Sequence, residues 1–154
     1  MKVVLVRHST AQDSSEVSTD LERHLTAKGV KKFAKLMPDL VEQMTGEGIG
    51  TVEIWSSPAF RAVETAEILQ ETLGVEEKVI KDFIYGGSFD AFLEALGGAA
   101  EDAFVFVVGH EPILSHWTLR LTGQDVRFKK SSLVCLNVNR SDLSESTVVW
   151  EIQP

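Results

Sequence analysis

The chain has a single cysteine, no apolar run longer than Ala103–Val108, and only 15 lysines and arginines against 23 aspartates and glutamates. One cysteine, Cys135, excludes an intrachain disulfide and fits a reducing compartment. Set in Leu133-Val134-Cys135-Leu136, it reads as a core thiol rather than a nucleophile. The lack of a long apolar run excludes a membrane-spanning helix, and the four apolar residues after Met1-Lys2 are too few for the h-region of a signal peptide. A cytoplasmic protein without membrane association is expected. The shortage of positive charge gives a formal net charge of -8 and a pI near 5.0. That balance weighs against nucleic acid or an anionic membrane as the main partner, so any anion site has to be built locally. No repeat, linker or low-complexity segment divides the chain. Residues 1–154 read as one domain, large enough to bury a core without disulfides or metal.

What is present is an alternation of strand-like and helix-like segments. Val3-Val4-Leu5-Val6 is too short for a helix core and has the β-branched character of a strand buried on both faces, as in a parallel sheet. It delivers Arg7-His8-Ser9-Thr10. Residues 11–23 are polar and irregular, a loop beside whatever faces the end of that strand. Thr26 can cap a helix whose core stripe is Val30, Phe33, Ala34, Met37, Val41 and Met44, with a break expected near Leu36-Met37 because Pro38 lies inside the pattern. Thr51–Ser56 alternates as a strand. It is followed by Ser57 as candidate N-cap and Pro58 as first helical residue of a helix running to Gly74, with Arg61 in its first turn.

A short strand around Lys78-Val79-Ile80 leads to Tyr85-Gly86-Gly87, read as a turn, and then to a helix capped by Ser88 with Phe89, Phe92, Leu93 and Leu96 inward. Ala103–Val108 should be the most deeply buried strand; it ends in Gly109-His110-Glu111-Pro112, with Pro112 opening another helix. Ser132–Val138 and Thr147–Ile152, joined by a polar loop, read as an antiparallel hairpin at the sheet edge. The whole predicts a three-layer α/β/α fold with a mostly parallel sheet. Trp55, Trp117, Trp150 and the phenylalanines fit packing rather than ligand roles.

In open α/β sheets ligands bind beyond the carboxyl ends of the strands. Arg7, His8, Arg61 and His110 all fall at strand ends or helix starts, and a parallel sheet brings them to one edge. An arginine in the first turn of a helix runs against the helix dipole unless an anion is expected there. Two guanidiniums that bind oxyanions bidentately, with two imidazoles, describe a phosphate site with a nitrogen nucleophile. Ser9, Thr10 and Ser57 are candidate secondary phosphate donors, and His24 a candidate for the rim. The two histidines lack the short ligand spacing of a zinc site, so neither metal nor other cofactor is expected.

The segments Val6-Arg7-His8, Leu25-Thr26 with Gly29, Ser56-Ser57-Pro58 with Arg61-Ala62 and Glu64-Thr65-Ala66, and Gly109-His110-Glu111-Pro112 resemble the histidine phosphatase, or phosphoglycerate mutase-like, superfamily across nearly the whole chain. The short chain without an inserted cap looks like the SixA-type phosphohistidine phosphatases. The resemblance implies that His8 accepts the phosphoryl group and that Arg7, Arg61 and His110 form the phosphate pocket. His8 must then be neutral, its second ring nitrogen held by a carbonyl, while a protonated His110 would stabilise the charge spreading over the phosphoryl oxygens.

Two departures stand out. Ser9 occupies the place where the family commonly has glycine, and either crowds the phosphate or donates to it. The carboxylate that phosphomonoesterase and mutase members use as general acid has no clear counterpart; Asp82 and Asp90 are the available groups. Phosphohistidine protonated on its remote ring nitrogen leaves as neutral imidazole and needs no such acid. The expected substrate is therefore a phosphorylated protein histidine, as on a histidine-containing phosphotransfer domain of a signalling relay. The alternatives are a small phosphate ester, with Asp82 or Asp90 as acid, and a catalytically idle domain that binds phosphate or a phosphoprotein.

Overall fold

A computed structural model of the chain describes residues 1–48 and 50–154. Six strands form one sheet: β1 (Lys2–Arg7), β2 (Val52–Ser56), β3 (Val79–Ile80), β4 (Phe104–Gly109), β5 (Leu133–Asn137) and β6 (Thr147–Ile152), in the order β3-β2-β4-β1-β5-β6. The first four are mutually parallel, and β5 and β6 add antiparallel pairs on the β1 side. The α/β architecture with an antiparallel edge follows the expectation from sequence. Every residue of β4 is buried, because it is central and covered on both faces.

Alternation along the strands sends side chains to two cores. Val3, Leu5, Val105 and Val107 pack with Phe92, Leu96, Leu114 and Trp117, which belong to α5 (Phe89–Gly97) and α6 (Ile113–Thr122). Val4, Val6, Phe106, Val108 and Cys135 pack with Phe33, Met37, Leu40, Ala62, Ala66 and Leu69. These latter residues come from α1 (Ala27–Ala34), α2 (Met37–Thr45) and α3 (Phe60–Leu73). Helices on both faces give the three layers. Burial pushes the Cys135 thiol up to about 12, as suits a core residue. No helix among the described residues is long and apolar enough to cross a membrane.

The break expected near Leu36-Met37 is present as the boundary between α1 and α2, with Pro38 in the first turn of α2, where its missing N–H costs nothing. Other local expectations are corrected. The inward stripe is Gly29, Phe33, Met37, Leu40 and Met44, while Val30, Ala34 and Val41 are exposed. In α1 the phase is set by Gly29: a Cβ there would lie 2.1 Å from the Thr10 carbonyl oxygen, so the bare face of this residue is turned inward. Ser57 is not the N-cap of α3; the helix starts at Phe60 with Ala59 as N-cap, and the Ser57 hydroxyl accepts from the Ala59 N–H within the preceding turn. Tyr85 and Gly86 lie in a short helix, α4 (Asp82–Gly86), with Gly87 as its left-handed cap. The irregular loop after β1 carries single turns at Ser14–Glu16 and Asp20–Glu22.

Candidate active site

Three adjacent parallel strands, β2, β4 and β1, end together. The register pairs Arg7 with Gly109 and Ser56 with Val108, and the ladder continues past the strand ends through His8 N–H to Gly109 O (3.1 Å) and Ser57 N–H to Val108 O (3.0 Å). Arg7, His8, Ser57 and His110 are thereby fixed along one edge, and Arg61 reaches it from the second residue of α3. His8, Arg61 and His110 are only 6 %, 5 % and 7 % exposed. The two imidazole centroids stand 5.2 Å apart.

The His8 ring is held by both nitrogens. Nδ1 lies 2.7 Å from the Ser9 carbonyl oxygen, which only accepts, so Nδ1 carries the proton. Nε2 accepts from Arg61 Nε at 3.3 Å, a contact that requires the lone pair. Burial pushes the His8 pKa down to about 3; the Ser9 carbonyl opposes this, and His110, Arg61 and Arg7 reinforce it. His8 is therefore a neutral imidazole with a defined tautomer and an available Nε2 pair.

His110 Nε2 sits 2.7 Å from Ser57 Oγ. Its pKa falls to about 4, first through burial and then through Arg61, with Asp20 opposing. In the free protein His110 is thus neutral; the protonated form expected during phosphoryl transfer would be favoured by a phosphoryl dianion nearby. Ser57 Oγ thus lies against His110 and accepts from the Ala59 N–H. Arg7 Nη1 donates to Phe128 O at 2.9 Å. Only three buried side-chain polar atoms among the described residues have no hydrogen-bond partner: Arg7 Nε, His110 Nδ1 and Trp150 Nε1. Two of the three belong to this edge. Unpaired buried polar groups are rare in folded proteins.

Around Arg61 stands a set of groups that sequence reasoning missed. Its Nη1 donates to the Asp20 carbonyl at 2.8 Å and its Nη2 to Asp20 Oδ2 at 2.9 Å. Tyr85 Oη donates to the same carboxylate oxygen at 2.8 Å, and Arg23 Nη1 to Oδ1 at 3.1 Å. Burial works against ionisation of Asp20, yet the bonds from Tyr85, Arg61 and Arg23 hold its carboxyl far below the usual carboxylate range. Tyr85 also meets His110 edge-on, with ring centroids 5.5 Å apart. The loop is anchored by Glu64 of α3, which accepts from Leu25 N–H at 2.7 Å and pairs with His24 Nδ1 at 2.8 Å. His24 thus holds the loop base, against Phe60.

Ser9 is fully buried. Its hydroxyl donates to Gly29 O at 2.7 Å and accepts from Ser131 Oγ at 2.8 Å, so its single proton is committed away from any phosphate. The expectation that Ser9 binds phosphate by its side chain is corrected: the hydroxyl fastens the start of α1 behind His8. Thr65 Oγ1 accepts from Ser9 N–H at 3.3 Å and donates to Arg61 O. Asp82, at the start of α4, and Asp90, in the first turn of α5, are exposed and make no side-chain hydrogen bond among the described residues.

The family model for the histidine phosphatase superfamily (branch 1) matches residues 3–84, a span that includes Arg7, His8 and Arg61 but not His110. An uncharacterized protein of Picosynechococcus sp. is 32 % identical, over 96 % of this chain and 91 % of its own. Among solved structures, the protein histidine phosphatase SixA complexed with tungstate is similar in fold, with a TM-score of 0.81 at 23 % identity, covering 99 % of this chain and 97 % of that one. The phosphoglycerate mutase of Plasmodium falciparum is also similar in fold, with a TM-score of 0.63 at 16 % identity over 96 % of this chain and 86 % of that one.

Proposed function

The chain belongs to the histidine phosphatase superfamily, and from that membership we propose that it is a phosphatase that removes phosphate from a protein histidine through a phosphohistidine on His8. One observation carries the reading: a buried, neutral His8 whose Nδ1 proton is tied to the Ser9 carbonyl and whose Nε2 pair faces Arg61. Nε2 attacks phosphorus while the bond from phosphorus to the substrate nitrogen breaks; the departing imidazole keeps that electron pair and leaves neutral, already protonated on its remote nitrogen. Water then attacks phosphorus, the bond to His8 breaks and its pair returns to Nε2, and both protons of the water end on inorganic phosphate. Arg7, Arg61 and His110 are assigned to the phosphoryl oxygens, where fixed donors stabilise the spreading charge.

The preference for a nitrogen leaving group follows from the carboxylates. An alkoxide needs a proton to leave, and Asp20, the carboxyl paired with Arg61 at this edge, is held ionised. Metal independence is part of the proposal, supported by the lack of any grouping of three His, Cys, Asp or Glu side chains suited to a metal ion among the described residues. The test is phosphate release from a phosphohistidine-bearing phosphotransfer domain and from a simple phosphate ester, side by side, with His8→Ala as background and detection of acid-labile phosphate on His8. Strong preference for the protein is expected. Rapid ester turnover with the phosphoprotein untouched would overturn the substrate, and no phosphohistidine on His8 would overturn the mechanism.

A further inference from the structure

Arg61 carries five N–H donors in a rigid planar fork, and where that plane points decides which of them face the nucleophile. Both terminal nitrogens are taken by one residue: Nη1 by the main-chain carbonyl of Asp20 and Nη2 by its carboxylate. Nε is left on His8 Nε2. Asp20 is fixed in turn, with Tyr85 on the oxygen that binds Arg61 and Arg23 on the other. The pairing is asymmetric in burial, with the Arg61 side chain 6 % exposed and that of Asp20 42 %. An ion pair that open to water on one side adds little to stability. Its consequence is orientation.

We infer that Asp20 is a positioning residue for Arg61, gripping the terminal nitrogens so that Nε and the remaining donors are presented to His8 and the phosphoryl group it receives. The inference rests on the proposed phosphoryl transfer at His8. It gives the polar loop after β1 a definite role, because residues 11–25 carry the anion that sets the arginine, and Glu64 holds that loop to the same helix that bears Arg61. Two other roles are chemically open to a carboxylate there. As a general acid it would have to hold a proton, which its three donors oppose. As a stand-in for phosphate it would compete with substrate for Arg61, and its removal would tighten binding.

The experiment uses the full chain with Asp20→Asn, Asp20→Ala and Tyr85→Phe. Turnover of the phosphohistidine protein gives kcat and KM, and nitrogen-15 NMR without substrate follows the Arg61 Nε–H and the His8 ring nitrogens. Positioning predicts that both Asp20 variants lose about 10²-fold in kcat, the scale of a misplacement near 1 Å, with KM within about threefold. The Arg61 Nε–H should lose its protection from exchange and its link to His8 Nε2, with Tyr85→Phe shifting the same signals less. A fall in KM with kcat kept or raised would overturn the inference in favour of competition, and unchanged Arg61 and His8 signals in Asp20→Ala would overturn it outright. Should the native protein release no phosphate from any substrate, the functional reading fails while the NMR comparison still decides the positioning.

Discussion

Replacement of Ser9 by alanine separates a phosphate ligand from a scaffold residue. The native hydroxyl is buried between Gly29 O at 2.7 Å and Ser131 Oγ at 2.8 Å. Ser131 is itself constrained: its φ of 78° lies in the left-handed region, and its N–H is shared between the carbonyls of Arg7 and His8 at 3.2 Å each. Ser9→Ala removes the acceptor of the Ser131 hydroxyl and leaves it buried without a partner, a cost of about 1–3 kcal/mol. For a chain of this size that corresponds to a fall in Tm of roughly 2–12 °C. The Ser9 carbonyl that holds His8 Nδ1 is untouched by the substitution, so kcat should stay within about threefold of native. Calorimetry and phosphate release on the same preparation test both halves. A loss near 10²-fold in kcat with Tm unchanged would refute the assignment and make the hydroxyl a ligand of the phosphoryl group.

Stability should fall with acid in a way traceable to the two buried histidines. With folded pKa values near 3 for His8 and 4 for His110, the unfolded chain binds protons below about pH 6.5 that the folded chain refuses, so unfolding gains about 1.4 kcal/mol per pH unit for each group as pH falls toward those values. Urea titrations of His8→Gln with His110→Gln should show a flatter pH dependence between 4 and 6.5; an unchanged slope would mean the rings are not held neutral. Gly29→Ala should destabilise by about 1–3 kcal/mol or more, since its Cβ would lie 2.1 Å from the fixed Thr10 carbonyl, and a native Tm would contradict the packing of α1. Turnover should survive exhaustive chelation with no loss; inactivation restored by a divalent cation would remove the metal-free mechanism.

The four residues on which the chemistry is proposed to rest were legible because each follows from a rule about position. Arg7, His8 and His110 lie where apolar strands end, Arg61 where a helix starts, and parallel order alone brings such points to one edge. Phase errors arose where packing overrode periodicity, as at Gly29, whose approach to Thr10 turned Val30 outward. Asp20, Tyr85 and Ser131 obey no such rule. Their roles depend on contacts 41, 65 and 122 residues distant along the chain, made from a loop, a single-turn helix and a left-handed bend.

One signal did point toward Asp20. A guanidinium in the first turn of a helix sits at the positive end of the dipole and needs compensating negative charge, and a substrate phosphate meets that need only while bound. In the free protein a permanent anion has to do so, and Arg61 is 5 % exposed, so water is a poor substitute. The acidic residues of the loop after β1 are Asp13, Glu16, Asp20 and Glu22, which narrows the field without choosing among them. The choice is made by the turn at Asp20–Glu22, which lets one residue offer both its carbonyl and its carboxylate to the same fork. A resting counter-ion that grips the terminal nitrogens leaves Nε on the nucleophile, so the requirement for charge balance and the requirement for alignment are met by a single contact.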